Sequence, residues 1–198
     1  MNFAAQWDAE HQNRLMAGPM PLQPVFDYFL LRKRCRVLDI GCGAGTNSQW
    51  LATQGYSVTA FDSSAAAIDR AKIRRDHADL RARLLYDVHD ATQAFPYPSK
   101  QFDIALDVRA LENLDSAEAL FAMREIARVL NDGGHFVSLT ASNERADKLT
   151  TVGKCRKMNA AEACEFMQLA GFGKSAVTHY CLAGVDDLWI VATKGIFT

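Results

Sequence analysis

The stretch from Val37 to Asp62 constrains the fold of this chain more than any other. An apolar run carries an acid at Asp39 and then breaks into three alternating glycines, Gly41, Gly43 and Gly45. A helix-like segment follows, and a second β-like run, 57–61, ends on Asp62. Glycines where a strand hands over to a helix let a ligand approach the backbone, because no Cβ intervenes. An acid that ends the next strand is well placed to accept hydrogen bonds from ribose hydroxyls. The pattern therefore predicts a site for a nucleoside-containing ligand.

Charge distinguishes the ligands that such a loop can hold. A dinucleotide brings a pyrophosphate and is typical of G-x-G-x-x-G, whereas the third glycine position of that pattern is Thr46 here. The carboxylate of Asp39 would repel a pyrophosphate by up to about 4 kcal/mol at ~4 Å and an effective dielectric near 20. No lysine follows the glycines, which excludes a P-loop. S-adenosylmethionine has no phosphate and carries a sulfonium and an ammonium, so an acid beside the glycines favours it.

Composition bounds the classes of function. The formal net charge of −1 gives no case for an extended nucleic-acid surface or for attraction to anionic membranes. We expect no signal peptide and no membrane span, because no apolar stretch of the required length is present. The five cysteines are scattered without a C-x-x-C pair, so we expect no metal site and a reducing cytoplasm.

Strand-like and helix-like segments alternate along the chain, which indicates a parallel sheet covered by helices. Strands are expected at 36–40, 57–61, 82–86, 103–108 and 135–140, and a β-hairpin at 175–182 and 187–194. Helices are expected at 3–16, 24–33, 46–54 and from 65 with Ser64 as its cap. Asp115 with Glu118, and Asn159 with Glu162, form capping boxes for two more helices. Gly133-Gly134 and Gly171 are expected to end these two helices.

Several of these segments resemble motifs of the class I S-adenosylmethionine-dependent methyltransferases, in particular the small single-domain UbiE-like group. The glycine motif is joined, in the family's order, by Tyr86–Ala91, by the two segments 95–98 and 101–105, and by 125–134. Tyr86–Ala91 resembles the family's third-strand exit. The segments 95–98 and 101–105 resemble its "L-P-F … F-D-x-V" run, and 125–134 resembles its "R-V-L-K-P-G-G" helix exit. The resemblance covers residues 24–195.

The resemblance implies an α/β fold with a Rossmann-like doubly wound sheet of seven strands. The family's strand order is 3-2-1-4-5-7-6, with strand 7 antiparallel and helices on both faces. It implies a single domain over 1–198, with a lid helix and linker at 1–23 and the core at 24–198. Ligands of such sheets lie beyond the carboxyl ends of the strands.

The resemblance assigns candidate cofactor contacts residue by residue. Asp39 serves the amino-acid end of the cofactor, Asp62 its ribose, and Asp90 with the Ala91 amide its adenine, with Asp87 as the competitor of Asp90. The full set of expected cofactor contacts is Trp7, Arg14, Asp39, Gly41, Cys42, Gly43, Gly45, Asp62, Ser63, Asp90, Ala91, Asp107, Val108 and Arg109.

Two regions carry hypotheses with alternatives. Arg109 is expected to bind the cofactor carboxylate or an anionic substrate, or else to pair with Glu112. Gln6-Trp7-Asp8 resembles the opening of a lid helix, with His11 and Arg14 following at helical spacing; the alternative is a helix that docks Trp7 into the core.

The resemblance implies methyl transfer from S-adenosyl-L-methionine to a small-molecule acceptor by in-line displacement, with S-adenosyl-L-homocysteine as the product. No catalytic residue is evident; the candidates are His11, Asp107 and Arg109, and His135 and Glu112 are further possible bases. The alternative is a non-catalytic cofactor-binding subunit that activates or stabilises a partner, and a nicotinamide oxidoreductase is the third option. A monomer or homodimer is expected.

Overall fold

The computed structural model describes residues 23–30, 32–144, 155–182 and 185–195. The chain divides into two compact units, Met1–Ala91 and Thr92–Thr198. Within the described residues, no helix combines the length and the apolar character that crossing a bilayer requires.

The N-terminal unit alternates helices and parallel strands. Its elements are α1 (Gln23–Leu30), β1 (Arg36–Ile40), α2 (Thr46–Thr53), β2 (Ser57–Asp62), α3 (Ala65–His77) and β3 (Leu84–Val88). β1 occupies the predicted residues, whereas β3 lies two residues further along the chain than predicted. The predicted cap of α3 is confirmed, because the Ser64 hydroxyl accepts a hydrogen bond from the Ala67 amide at 3.1 Å.

The register of the parallel strands brings the acids of this unit to one edge. β1 pairs with β2 so that Ile40 lies beside Phe61, and β2 pairs with β3 so that Asp62 lies beside Val88. All three strands therefore end at the same level, and the loops that follow them are neighbours.

The C-terminal unit contains β4 (Phe102–Val108), a 3-10 turn (Leu111–Asn113), α4 (Ser116–Val129), β5 (Leu130–Ala141), α5 (Ala160–Leu169), β6 (Phe172–Leu182) and β7 (Val185–Lys194). Both predicted capping boxes are confirmed, at Asp115 with Glu118 and at Asn159 with Glu162. The predicted hairpin is also confirmed, because β6 and β7 pair antiparallel.

The prediction that Gly133 and Gly134 end α4 is wrong. The helix ends at Val129, and β5 starts at the next residue, Leu130, whose backbone is already extended. β4 pairs Phe102 with Leu130 and then shifts register, so that Ile104 lies beside His135. The glycines therefore belong to an irregularity within the strand. A Cβ on Gly134 would lie 2.8 Å from the Asn131 carbonyl oxygen, which explains the need for glycine there.

The seven strands follow the order β3-β2-β1-β4-β5-β7-β6, and β7 is antiparallel to β5 and β6. This confirms the predicted fold class.

A short pairing joins the described residues on the two sides of residues 145–154. Ser142 and Met158 form a parallel bridge, and the Asn143 amide donates to the Met158 carbonyl at 3.1 Å. The Met158 amide in turn donates to the Ala141 carbonyl at 3.4 Å. The two ends of this segment are therefore fixed to the end of β5.

Candidate cofactor site and the exit of strand β4

The glycine loop between β1 and α2 adopts backbone conformations that favour glycine. Gly41, Gly43 and Gly45 have φ values of 62°, 54° and 80°, all in the left-handed region. Residues with a Cβ rarely adopt such values. The alternation of glycines in the sequence thus reflects a tight turn that needs a left-handed backbone at all three positions.

Tyr86 of β3 closes the loop from behind. A Cβ on Gly45 would lie 2.8 Å from the Tyr86 Cζ and closer still to its hydroxyl oxygen. That hydroxyl donates to the Gly45 carbonyl at 3.4 Å. Burial is the main reason that the pKa of Tyr86 is raised, so this phenol stays protonated and keeps its role as a donor. Tyr86 lies in the segment that resembles the third-strand motif, but its contact with the loop has no signal in the local sequence.

Asp39 lies under the loop as a buried acid, with only 1% of its surface exposed. Its carboxylate accepts a hydrogen bond from the Ser48 hydroxyl, on α2. A buried carboxylate needs such donors, because leaving water is otherwise costly. Ser48, itself fully buried, was missed at the sequence level because a serine within a helix gives no sign of its partner.

Asp62 ties the end of β2 to the same loop. Its Oδ2 accepts from the Gly43 amide at 2.8 Å, and its Oδ1 accepts from the Ser64 amide at 2.8 Å. The Cys42 amide donates to the Phe61 carbonyl at 3.0 Å. The structure therefore brings Asp62 and the glycine loop together, as the sequence pattern required.

The electrostatic character of this site is negative. Burial first, and then the charges of Asp39 and Asp62, raise the pKa of the Cys42 thiol well above its usual value. A basic side chain does reach the loop: Arg74 of α3 donates to the Ala44 carbonyl at 3.3 Å. That contact uses a backbone oxygen, and the acids stand closest to the turn.

The residues after β3 carry the candidate adenine contacts. Asp87 lies inside the strand, beside Phe61 of β2. Asp90 and Ala91 follow the strand end, and Asp90 is exposed. His89 packs edge-on against the Phe61 ring, with centroids 5.3 Å apart, and its amide donates to the Asp62 carbonyl at 3.0 Å. The strand end that carries Asp90 is thus joined to Asp62.

In the C-terminal unit, Asp107 organises the turn that follows β4. Its Oδ1 accepts from the amides of Ala110 and Leu111 at 3.0 and 3.2 Å, and its Oδ2 accepts from the Ser138 hydroxyl at 2.7 Å. The side chain is buried, and this burial raises its pKa, although the same hydrogen bonds oppose the shift. These bonds give Asp107 a structural role in the turn.

Arg109 has a partner that sequence analysis missed. Its Nη1 lies 2.8 and 2.7 Å from the two carboxylate oxygens of Asp187 on β7, whereas its Nε is 3.9 Å from Glu112. The expected pairing with Glu112 is thus the weaker of two contacts. Arg109 also has a φ of 63°, which is uncommon for a residue with a side chain. Val108, just before it, is the last residue of β4.

Glu112 links the same turn to the end of β5. Its Oε2 accepts from the Ala141 amide at 2.7 Å, and its carbonyl accepts from the Arg156 amide at 2.6 Å. Burial raises the pKa of Glu112, while Arg109 opposes that change.

The pKa of the neighbouring Cys155 rises to about 12, through burial and then the charge of Glu112. Arg156, missed at the sequence level, covers the Phe166 ring at 4.7 Å.

Three predicted site residues, Trp7, His11 and Arg14, lie outside the described residues. Among the residues that the structure does describe, no group of three or more His, Cys, Asp or Glu side chains is arranged to hold a metal ion.

Comparison with known proteins agrees with the geometry. Residues 37–134 match the model of a methyltransferase domain family. The chain is 34% identical over 120 residues to the 27-O-demethylrifamycin SV methyltransferase of Amycolatopsis mediterranei, covering 60% of this chain and 40% of the relative. It is 33% identical over 105 residues to a demethylmenaquinone methyltransferase of Leptospira interrogans, covering 52% of this chain and 41% of the relative.

The fold is shared with a crystal structure of an S-adenosylmethionine-dependent methyltransferase from Methanosarcina mazei. The TM-score is 0.74 at 21% identity, over 90% of this chain and 100% of that one. The chain thus spans about two fifths of the length of the two curated relatives and the whole of this solved one.

Proposed function

We propose that this chain is an S-adenosylmethionine-dependent methyltransferase, because residues 37–134 match a methyltransferase domain family and the relatives it resembles are methyltransferases. We propose further that it transfers a methyl group to a small-molecule acceptor by in-line displacement. S-adenosylmethionine is the cofactor of this family. When bound, it supplies a methyl group carried by a sulfonium, and the neutral thioether that remains after transfer is an excellent leaving group. The observation that carries the proposal is the hydrogen bond from the Gly43 amide of the glycine loop to the Asp62 carboxylate, with Asp39 buried beneath the loop.

The residues of the N-terminal unit fit this cofactor. Gly41 and Gly43 leave the turn without side chains where a ligand would approach, whereas Gly45 makes room for Tyr86. The nearby acids suit a sulfonium and an ammonium, and they oppose a pyrophosphate. We assign the ribose hydroxyls to Asp62, because charge-assisted hydrogen bonds from hydroxyls to a carboxylate are worth about 1.5–3 kcal/mol. Backbone and small side chains around the cofactor are proposed to come from Gly41, Cys42, Gly43, Gly45 and Ser63.

The adenine is assigned to the loop after β3. Asp90 is proposed to accept from the exocyclic amine, and the Ala91 amide to donate to a ring nitrogen. Asp90 is favoured over Asp87 because it follows the end of the strand, whereas Asp87 is held within it beside Phe61.

Catalysis is proposed to come mainly from alignment. Holding the nucleophile in line with the methyl group near 3 Å contributes up to ~7–11 kcal/mol. A general base is optional when the acceptor is a thiolate, an amine or an acidic oxygen. Proposed contacts of the cofactor or acceptor also lie at the exit of β4, at Asp107, Val108 and Arg109. On sequence grounds alone, the same is proposed for Trp7, His11 and Arg14. Asp107 and Arg109 are the less suited to proton transfer, since Asp107 accepts three hydrogen bonds and Arg109 is held by Asp187.

A small acceptor is supported by the names of the two relatives, which refer to a rifamycin and a menaquinone precursor. A cytoplasmic location is proposed because none of the five cysteines forms a disulfide, which fits a reducing compartment.

Isothermal titration calorimetry with S-adenosylhomocysteine tests the assignment of the cofactor site. We expect Asp62→Asn to weaken binding at least tenfold, since it replaces an acceptor of hydroxyl protons with a partial donor. Asp69→Asn, which alters an exposed acid on α3, is the matched control and should bind like the wild type. Wild-type protein that binds NADH and gives no heat with S-adenosylhomocysteine would contradict the proposal.

Turnover separates the enzyme from its alternative. Release of S-adenosylhomocysteine is measured across a panel of hydroxyl, amine and thiol acceptors. Turnover with any of them supports a methyltransferase, whereas tight cofactor binding without turnover across the panel supports a non-catalytic subunit.

A further inference from the structure

Strand β3 is the terminal strand of the sheet, and within the described residues no further strand pairs with its outer edge. The Val58 amide donates to the Arg83 carbonyl at 2.7 Å, and the His89 amide donates to the Asp62 carbonyl at 3.0 Å. In a parallel pair of strands, every second residue points its backbone amide and carbonyl toward the neighbouring strand. The amides and carbonyls of Leu85 and Asp87 therefore point toward β2, and those of Leu84, Tyr86 and Val88 point to the open edge.

The side chains along this strand form a repeating pattern. Leu84 and Tyr86 are buried, whereas Leu85 and Asp87 are exposed on the opposite face, and Arg83 is exposed in the turn just before the strand. Leu85 has 58% of its surface exposed, which is high for a leucine in a strand. A single exposed leucine needs no explanation, but this one lies at the centre of an open edge.

The charges on this face are complementary to themselves. Arg83 precedes Leu85 by two residues, and Asp87 follows it by two. In an antiparallel pairing of two identical strands centred on Leu85, Arg83 of each copy lies opposite Asp87 of the other. Edge strands with charges of one sign keep identical chains apart, whereas this arrangement attracts them.

We propose that a second copy of this chain pairs antiparallel with the edge of β3 about a two-fold axis at Leu85. Leu85 then lies opposite its equivalent in a non-hydrogen-bonded pair, where side chains are closest. Leu84 and Tyr86 exchange backbone hydrogen bonds with Tyr86 and Leu84 of the second copy. Two Arg83–Asp87 pairs flank the leucines. A two-fold interface of this kind uses the same surface on both chains.

Other registers are less favourable. Moving the axis to Tyr86 retains the hydrogen-bonding pattern but places Leu85 opposite Asp87 and Arg83 opposite His89. This loses the apolar contact and both charge pairs. Arg83 also donates to the Gly55 carbonyl at 3.2 Å, but a guanidinium has five N–H donors, so this bond does not prevent the intermolecular pair.

The interface is small, so the dimer is weak and dependent on concentration. Interfaces below about 1,200 Å² form transient complexes. Sedimentation velocity over a wide concentration range should show a reversible monomer–dimer equilibrium for the wild-type chain. Leu85→Lys should raise the dissociation constant at least tenfold, and Ile73→Lys, at an equally exposed site on α3, should leave it unchanged.

Charge exchange tests the register. Arg83→Asp and Asp87→Arg each place like charges opposite each other and should abolish the dimer. The double variant restores two attractive pairs and should dimerise again. Thermal unfolding of each variant shows whether the monomer remains folded, since Arg83→Asp also removes the bond to Gly55.

Cross-linking tests the axis. Leu85→Cys should form an intermolecular disulfide under mild oxidation, beyond the background of the wild-type cysteines, whereas Ile73→Cys should not. A wild-type chain that stays monomeric at high concentration, or a dimer that is insensitive to Leu85→Lys and to both charge changes, would overturn the proposal.

Discussion

Arg109 and Asp187 are joined by a two-oxygen ion pair although 78 residues separate them in the chain. Nη1 of Arg109 donates to both carboxylate oxygens, at 2.8 and 2.7 Å, and Asp187 is buried. The pair fixes the exit of β4 to β7. Arg109 also has a φ of 63°, which an L-residue adopts only when its surroundings require it.

Two substitutions at Arg109 separate the ion pair from the backbone strain. Both Arg109→Ala and Arg109→Gly leave Asp187 buried without its cation, and each should lower the free energy of unfolding by about 2–4 kcal/mol. Arg109→Gly should be the milder by about 1 kcal/mol, because glycine adopts this φ without strain. Urea denaturation measures both. Equal losses would mean that the backbone conformation carries no cost.

Gly45 is predicted to tolerate no side chain. Gly45→Ala should lower the free energy of unfolding by about 2–5 kcal/mol, from the left-handed φ together with the clash against Tyr86. Gly133→Ala is the matched control, because Gly133 has a similar φ of 73° and no atom within 4 Å of its added Cβ. It should cost only about 1–2 kcal/mol. Chemical denaturation of both variants checks the difference.

Asp39→Asn tests whether the buried charge recognises the sulfonium. We expect the affinity for S-adenosylmethionine to fall about five- to thirtyfold more than that for S-adenosylhomocysteine. This corresponds to about 1–2 kcal/mol for charges roughly 10 Å apart at an effective dielectric near 20. Ser48→Ala removes the hydrogen-bond donor but keeps the charge, so the ratio of the two affinities should change little. Calorimetry with both ligands measures the ratio, and an unchanged ratio in Asp39→Asn would reject the idea.

Asp90 and Asp87 give a second matched comparison. Asp90→Ala should weaken the binding of S-adenosylhomocysteine about tenfold or more, through loss of a hydrogen bond to a charged acceptor. Asp87→Ala should have little effect on this affinity. The reverse ranking in the same titration would move the adenine contact to Asp87.

Asp76 predicts a dependence of stability on pH. Hydrogen bonds from Arg81 and then Arg75 lower its pKa to about 2. A carboxyl with a lowered pKa in the folded state contributes stability above its unfolded value of about 4, and loses it as the pH falls toward 2. The difference in melting temperature between wild type and Asp76→Asn should be constant above about pH 5 and shrink below pH 4. A difference that grows on acidification would have the wrong sign.

The parts of the fold that sequence analysis predicted well are those specified by neighbouring residues. The glycine loop and its strand need only residues 36–45, and each capping box needs four consecutive positions. Gly133 and Gly134 led to a wrong prediction because glycines are common both after helices and in β-bulges. Only the pairing of β4 with β5 distinguishes a helix end from a bulge at this position. The site was predicted less completely. Ser48 and Tyr86 support the loop through contacts that no local pattern encodes, and Asp187 lies too far along the chain for any spacing rule to connect it with Arg109.

The bonds between Asn143 and Met158 have a structural consequence. They hold the described chain on either side of residues 145–154 at the end of β5, so a replacement of different length would begin and finish at the same two points. The entropy of closing a connection between two fixed points rises only slowly with its length. A connection between these two fixed points can therefore vary in length at little cost to the stability of the sheet.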